Sequence, residues 1–243
     1  MGAQSHRSDA QILNRRTLAH DHRVLAPMLR PGMFVLDVGC GTGAITAGIA
    51  QAVAPGGCCI GIDRDESLLE IARQDHPGVR FEQGDALSME FDAAFDIVTA
   101  ARTVQWVADP ARAIALMAGA LKPGGRLVVL DYNHDRNSWS PEPPPEFRKF
   151  YAAFLAWRSS NGWANDIADR LPALFAGAGL VEIESVACDD SDSPDVWGGV
   201  IEGPGRQFYP EDERTRVSAA YHDYLEGSRR TLAMKTVIGK RVG

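Results

Sequence analysis

Val35-Leu36-Asp37-Val38-Gly39-Cys40-Gly41-Thr42-Gly43-Ala44 is the stretch on which the fold turns. Met33 to Val38 is a short apolar run ending at a glycine cluster, the pattern of a strand buried in a parallel sheet. Ile45, Ile49 and Val53 then recur at helical spacing, which predicts a helix over Ala44 to Val53. Glycines between the two let the backbone bend sharply and approach a ligand closely beside a helix N-terminus.

The same alternation continues outward. Cys58 to Asp63 reads as a second strand, Glu66 to Gln74 as a helix capped by Asp65, Val79 to Gln83 as a third strand and Phe95 to Ala100 as a fourth. Asp109-Pro110 supplies a cap and a first-turn proline to a helix with Ile114, Met117, Ala118 and Leu121 on its inner stripe, stopped by Lys122-Pro123-Gly124-Gly125. Arg126 to Tyr132, Val181 to Ala187 and Thr231 to Arg241 complete seven strands. The expected fold is α/β, a doubly wound, Rossmann-like, seven-stranded and mostly parallel sheet with helices on both faces and helical cap segments.

Upstream, residues 1–30 read as a helical lid, with Ser8 or Asp9 capping Ala10 to Ala19 and Asp21 capping His22 to Arg30. Within it, His20, Asp21 and His22 read either as part of a lid over the glycine-rich loop or as a cap and solvated turn. Two segments break the strand and helix rhythm. Residues 134–161 carry Pro141, Pro143, Pro144 and Pro145 and then Phe147, Phe150, Tyr151, Phe154 and Trp157; residues 189–227 begin acidic and hold Trp197, Phe208, Tyr209, Tyr221 and Tyr224. Both are expected as substrate-covering excursions within one domain spanning 1–243. An aromatic stripe at helical spacing is more often core than binding wall, and some of these side chains are expected to serve as both.

Composition narrows the function. The 243 residues are 45% hydrophobic and 23% charged, enough to bury a sizeable core, which excludes disorder. Lys plus Arg number 25 against 32 Asp plus Glu, so the formal charge is −7, which disfavours nucleic acid and anionic membranes and leaves a small molecule as the default partner. The four cysteines show no metal-ligand spacing, so no metal is expected, and no apolar stretch is long enough to span a membrane. The expectation is a cytoplasmic protein, monomeric or homodimeric, with reduced thiols.

Gly39, Gly41 and Ala44 also fit the dinucleotide fingerprint, so the loop alone leaves two readings open. Asp37 weighs against a dinucleotide, because a carboxylate at the strand end faces the pyrophosphate such a ligand places there. Asp63, ending the second strand, is positioned to accept from both ribose hydroxyls, and Asp85 after Gly84 to accept from an adenine amino group. Three acids at three successive strand ends, with no Lys or Arg in the glycine loop, describe a pocket for a nucleoside without phosphates.

These linked motifs resemble the class I S-adenosylmethionine-dependent methyltransferases over Met33 to Tyr132. Asp37-Val38-Gly39-Cys40-Gly41-Thr42-Gly43 is similar to the family's cofactor loop, Asp63 to its ribose acid and Gly84-Asp85-Ala86 to its adenine segment. Phe95-Asp96-Ile97-Val98 followed by Gln105-Trp106-Val107 is similar to its fourth strand and next turn, and Leu121-Lys122-Pro123-Gly124-Gly125 to its turn into the fifth. The Gln105-Trp106-Val107 variant is similar to trans-aconitate methyltransferases, and the layout to quinone-pathway and specialised-metabolite enzymes. The resemblance implies S-adenosylmethionine as cofactor, S-adenosylhomocysteine as product, and a cofactor set that also takes in Arg64, Ala100 and Gln105.

What it implies for activity is methyl transfer to an N or O atom of a small, planar or heteroaromatic metabolite. The alternatives are a quinone C-methyltransferase, an O-methyltransferase of a small carboxylic acid, and, from other classes, an NAD-dependent oxidoreductase or a non-catalytic cofactor-binding module. His134 and Tyr132, leaving the fifth strand, are candidate catalytic residues, His134 for its unperturbed pKa near neutrality. Arg102 departs from the family's pattern, which favours Asn and a small residue where this chain has Ala101 and Arg102. It sits where cofactor and substrate meet and is expected to hold an anionic substrate group or the cofactor carboxylate.

Overall fold

Strand β1 (Phe34–Val38) sends alternate side chains to opposite layers. Leu36 and Val38 join one core with Ile60, Ile62, Val98, Leu127 and Val129, while Val35 joins a second with Cys59, Ile97 and Val128. That two-sided burial explains the continuous apolar run, since a sheet covered on both faces has no solvent side to give polar residues. The computed structural model describes residues 10–191 and 196–243.

Around β1 stand β2 (Cys58–Asp63), β3 (Arg80–Gln83), β4 (Phe95–Ala101), β5 (Leu121–Tyr132), β7 (Leu180–Ala187) and β9 (Met234–Arg241), in the order β3-β2-β1-β4-β5-β9-β7. β1 pairs in parallel with β2 and β4, whereas β9 runs antiparallel between β5 and β7. α3 (Ala44–Val53) packs Ile45, Ile49 and Val53 on one face; α5 (Pro110–Ala120) and α7 (Ile167–Gly177) cover the other with Ile114, Met117, Leu171 and Phe175. Predicted caps are in place: Asp65 accepts from the Ser67 amide at 3.0 Å at the start of α4 (Glu66–Asp75), and Asp109 from the Arg112 amide at 2.9 Å. The strand order reverses at β1 and β4, so their carboxyl ends open a crevice there.

Three expectations need correction. The stretch Ala10 to Ala19 breaks into α1 (Ala10–Asn14) and α2 (Leu18–Asp21), because Thr17 caps α2, accepting from the His20 amide at 3.2 Å, while Asp21 accepts from the Thr17 amide at 2.9 Å. His22 to Arg30 forms turns and a short 3-10 segment, Ala26–Met28; Pro27 in its first turn has no amide proton to carry an α-helix through. Strand seven begins at Met234, the preceding Arg229–Thr231 forming β8, which pairs with β6 (Ser138–Ser140) in a separate ribbon. The expected caps Ser8 and Asp9 lie outside the described residues.

The two excursions meet. α6 (Pro145–Ser160) from the first packs against α8 (Trp197–Glu202) and α9 (Glu211–Leu225) from the second, burying Phe147, Phe150, Phe154, Trp157, Trp197 and Tyr221 in one aromatic core. Phe147 and Tyr221 stack at 4.2 Å, and Trp157 and Phe208 at 4.9 Å. Each segment supplies part of the other's core, and the pair forms a cap at the crevice.

Candidate active site

The glycine loop is pinned to β2, with the Gly39 and Cys40 amides donating to the Ile62 carbonyl at 2.7 and 3.0 Å. Gly39 has φ 75°, and a Cβ there would collide with the Thr103 side chain. Gly43, with φ 79°, caps α3, and a Cβ would collide with Phe81. Both positions therefore require glycine on two counts, backbone conformation and space.

Asp37 is fully buried, accepts from the Thr46 hydroxyl at 2.7 Å, and is pushed up to about 6 by burial, with Thr46 opposing. Asp63 takes one amide on each carboxylate oxygen, Gly41 at 2.8 Å and Asp65 at 3.0 Å, and burial raises its pKa too. Each oxygen keeps a further acceptor site for a ligand hydroxyl. Asp85 caps Leu87 through one oxygen at 2.8 Å. Thr42 adds a buried hydroxyl without a hydrogen-bond partner. Acceptors at two strand ends, an unengaged hydroxyl and a close-approach loop fit a nucleoside that carries hydroxyl and amino donors and no phosphate.

A cavity of about 810 Å³ joins these groups. It runs from Asp85, Ala86, Gly84, Arg64 and Asp63 past Asp37, Gly39, Cys40, Gly41 and Thr42 to Arg102, Gln105, Tyr132 and His134, and ends against Trp106, Phe154, Trp163 and Trp197. Ile12, Leu13 and Arg16 from the N-terminal segment close it over the loop. Two predicted members are outside the wall: Ala100 is fully buried in the sheet core, its place in the crevice taken by Ala101 and Arg102, and Gly43 only shapes the turn. Burial pushes the Cys40 thiol well up, so it stays protonated.

At the far end stands a buried polar network. Asp131 accepts from the amides of Gln105 at 3.0 Å and Tyr132 at 2.9 Å, and burial raises it to about 6. Gln105 Nε2 donates to the Arg102 carbonyl at 3.1 Å, so its Oε1 accepts from His134 Nε2 at 2.7 Å. His134 Nδ1 then carries the lone pair and has no partner. Burial, then the charge of Arg158, holds His134 well below its usual pKa and therefore neutral. Arg102 pairs with Asp21 at 3.2 Å; burial alone would lower its pKa, but the Tyr132 hydroxyl and Asp21 outweigh it and the net shift is upward.

Arg158, absent from the sequence prediction, anchors this network. It is fully buried, donates to Asn165 Oδ1 at 2.9 Å and to the carbonyls of Gln105 and Ala164 at 3.0 and 3.2 Å, and lies 4.4 Å over the Trp106 ring. Its signal was a charge on the stripe Phe147, Phe150, Phe154, Arg158, where helical spacing demands burial.

His20 is exposed, while Asp21 and His22 are buried against β4 and β5 and are absent from the cavity wall. The Thr99 hydroxyl donates to the Val128 carbonyl at 2.8 Å, so His22 Nε2 donates to Thr99 Oγ1 at 2.6 Å. Burial and then Arg102 lower His22 from 6.5 to about 3. The folded protein thus excludes a proton that the unfolded chain binds, so this residue's stabilisation is complete above 6.5 and is lost as pH falls toward 3. At about 1.4 kcal/mol per pH unit, the stability gap between wild type and His22→Gln narrows by about 2 kcal/mol from pH 7.5 to 5. Urea denaturation at both pH values checks this, and a gap independent of pH contradicts it.

Among the described residues no cluster of metal-ligating side chains occurs, and no helix is long and apolar enough to cross a membrane. A family model described as "Methyltransferase domain" matches residues 29–163. The chain is 33% identical over 178 residues to trans-aconitate 2-methyltransferase of Deinococcus radiodurans, covering 71% of this chain and 67% of that protein. It is 29% identical over 170 residues to demethylmenaquinone methyltransferase of Lactococcus lactis, covering 63% and 68%. It is also 42% identical over 110 residues to an uncharacterized 37.1 kDa protein in transposon TN4556 of Streptomyces fradiae, a match covering 44% of this chain and 32% of that one. The fold is similar to that of the YcgJ protein from Bacillus, with a TM-score of 0.61 at 22% identity, covering 92% of this chain and 99% of that one.

Proposed function

We propose, for a chain that belongs to the class I S-adenosylmethionine-dependent methyltransferases, that it methylates an N or O atom of a small, planar or heteroaromatic metabolite of specialised metabolism. The observation that carries this reading is the continuity of the cavity from Asp63 to an aromatic wall at its far end. There Trp106 and Trp163 meet edge to face at 5.2 Å, and Phe154 and Trp197 at 5.5 Å. Such a wall offers flat apolar faces to a ring, with Asn137 and Tyr132 as polar groups that fix its orientation.

S-adenosylmethionine, when bound, supplies a methyl group already activated by its sulfonium. The residues then have to bind and align. Asp63 and Asp85 would hold the ribose hydroxyls and the adenine amino group, and Gly39 allows close backbone approach. The cap and the N-terminal segment exclude water and hold the acceptor in line, which is the main source of rate when the leaving group is already good. His134, kept neutral and held by Gln105, forms part of the cavity wall, and its lowered pKa makes it a weak base. The reaction therefore suits acceptors acidic enough to lose their proton to water, such as phenols and ring N–H groups.

Release of S-adenosylhomocysteine across a panel of hydroxylated and N-heterocyclic aromatics, quinols and small polycarboxylic acids tests the proposal. Turnover confined to planar N or O acceptors is expected. Turnover confined to quinol carbon or to an aliphatic acid contradicts it.

A further inference from the structure

We propose that Arg16 is the carboxylate-binding residue of this cavity. It lies in the turn between α1 and α2, fixed by its amide donating to the Leu13 carbonyl at 3.1 Å, and its side chain lines the cavity half-buried. Its guanidinium makes no hydrogen bond or ion pair with the described residues. Arg102, the guanidinium the sequence points to, is already spent: it pairs with the Asp21 carboxylate at 3.2 Å, donates to the Asp21 carbonyl at 3.3 Å and lies 5.8 Å from the Tyr132 ring centre.

Of the arginines in this wall Arg64 and Arg206 are exposed and Arg102 is paired, so Arg16 is the half-buried guanidinium without a counter-charge among the described residues. Asp21 neutralises Arg102, and Asp37 and Asp63 are engaged by Thr46 and by two amides. Burial, and then the like charge of Arg102, bring Arg16 down to about 10, so it stays protonated near neutrality and bears an electrostatic cost that an anion relieves. Guanidinium forks match carboxylates best, through two parallel N–H donors. The carboxylate has two possible sources, the amino-acid end of the cofactor or an acid group on the acceptor. The inference rests on reading this cavity as the cofactor site.

The test is calorimetry of wild type, Arg16→Ala and Arg16→Lys with S-adenosylhomocysteine and with its decarboxylated analogue, then with benzoate and benzamide on the S-adenosylhomocysteine-saturated protein. If the cofactor supplies the carboxylate, wild type prefers S-adenosylhomocysteine over the analogue by about 10- to 100-fold. Arg16→Ala removes that preference without changing affinity for the analogue, and Arg16→Lys restores part of it. If the acceptor supplies it, the preference survives and Arg16→Ala instead erases selectivity for benzoate over benzamide. Unchanged preferences in both arms overturn the assignment of Arg16 alone. A wild-type protein that binds neither nucleoside overturns the cofactor reading and this inference together.

Discussion

Asp63→Ala lowers affinity for S-adenosylhomocysteine at least 100-fold, by order of magnitude, from loss of two charge-assisted hydrogen bonds of about 1.5–3 kcal/mol each. The carboxylate is poised for this: each oxygen is fixed by one backbone amide, at 2.8 and 3.0 Å, and each retains an acceptor site. Because those amides belong to the glycine loop and to the start of α4, the substitution also loosens the loop. Asp63→Asn separates the two effects. It keeps the volume and one acceptor oxygen but turns an amino group toward the ribose or toward a loop amide. Its affinity is expected to fall about 10-fold or more with little change in thermal unfolding. Calorimetry and a melting curve on the same samples check both, and affinities within about threefold of wild type contradict the role of Asp63.

The second large effect is on stability. Arg158→Met leaves the buried Gln105 carbonyl and the half-buried Asn165 Oδ1 and Ala164 carbonyl without their donor. It also removes the cation from over the Trp106 and Phe154 rings. Leaving a buried acceptor unsatisfied costs about 1–3 kcal/mol, so a loss of about 3 kcal/mol is expected, which for a protein of this size lowers the melting temperature by about 10 °C. The cost falls on the cap, since Arg158 ties α6 to the turn after β4 that carries Gln105. The acceptor KM is therefore expected to rise more than S-adenosylhomocysteine affinity falls. A melting temperature within about 2 °C of wild type contradicts this account.

The sheet was legible because its signals are local. A glycine-ended apolar run, Asp65 and Asp109 at helix starts, and the prolines and glycines between elements each act within a few residues, and the strands they mark pair as the alternation implies. That Asp37, Asp63 and Asp85 share one cavity wall was legible for the same reason, since parallel strands bring their carboxyl ends together whatever the loops do.

The far end of the cavity was not. Arg102 reads as an open anion site until the chain brings Asp21, from 81 residues earlier, against it. Arg16 carries no signal in the sequence and joins the cavity wall only because the helix breaks between Asn14 and Leu18. Arg158 satisfies a carbonyl 53 residues away, a pairing that no spacing rule contains. Ala100 entered the expected set through the resemblance, but its side chain is buried in the sheet core and Ala101 and Arg102 line the cavity instead.

The most direct test of the central claim, that the cavity takes a phosphate-free charged nucleoside and brings an acceptor to it, is calorimetric titration of the wild-type protein with S-adenosylmethionine, S-adenosylhomocysteine and NAD. The account predicts saturable binding of the first two in the micromolar range, by order of magnitude, at one ligand per chain, with no heat from NAD. Binding of NAD with silence from both adenosyl compounds would contradict it.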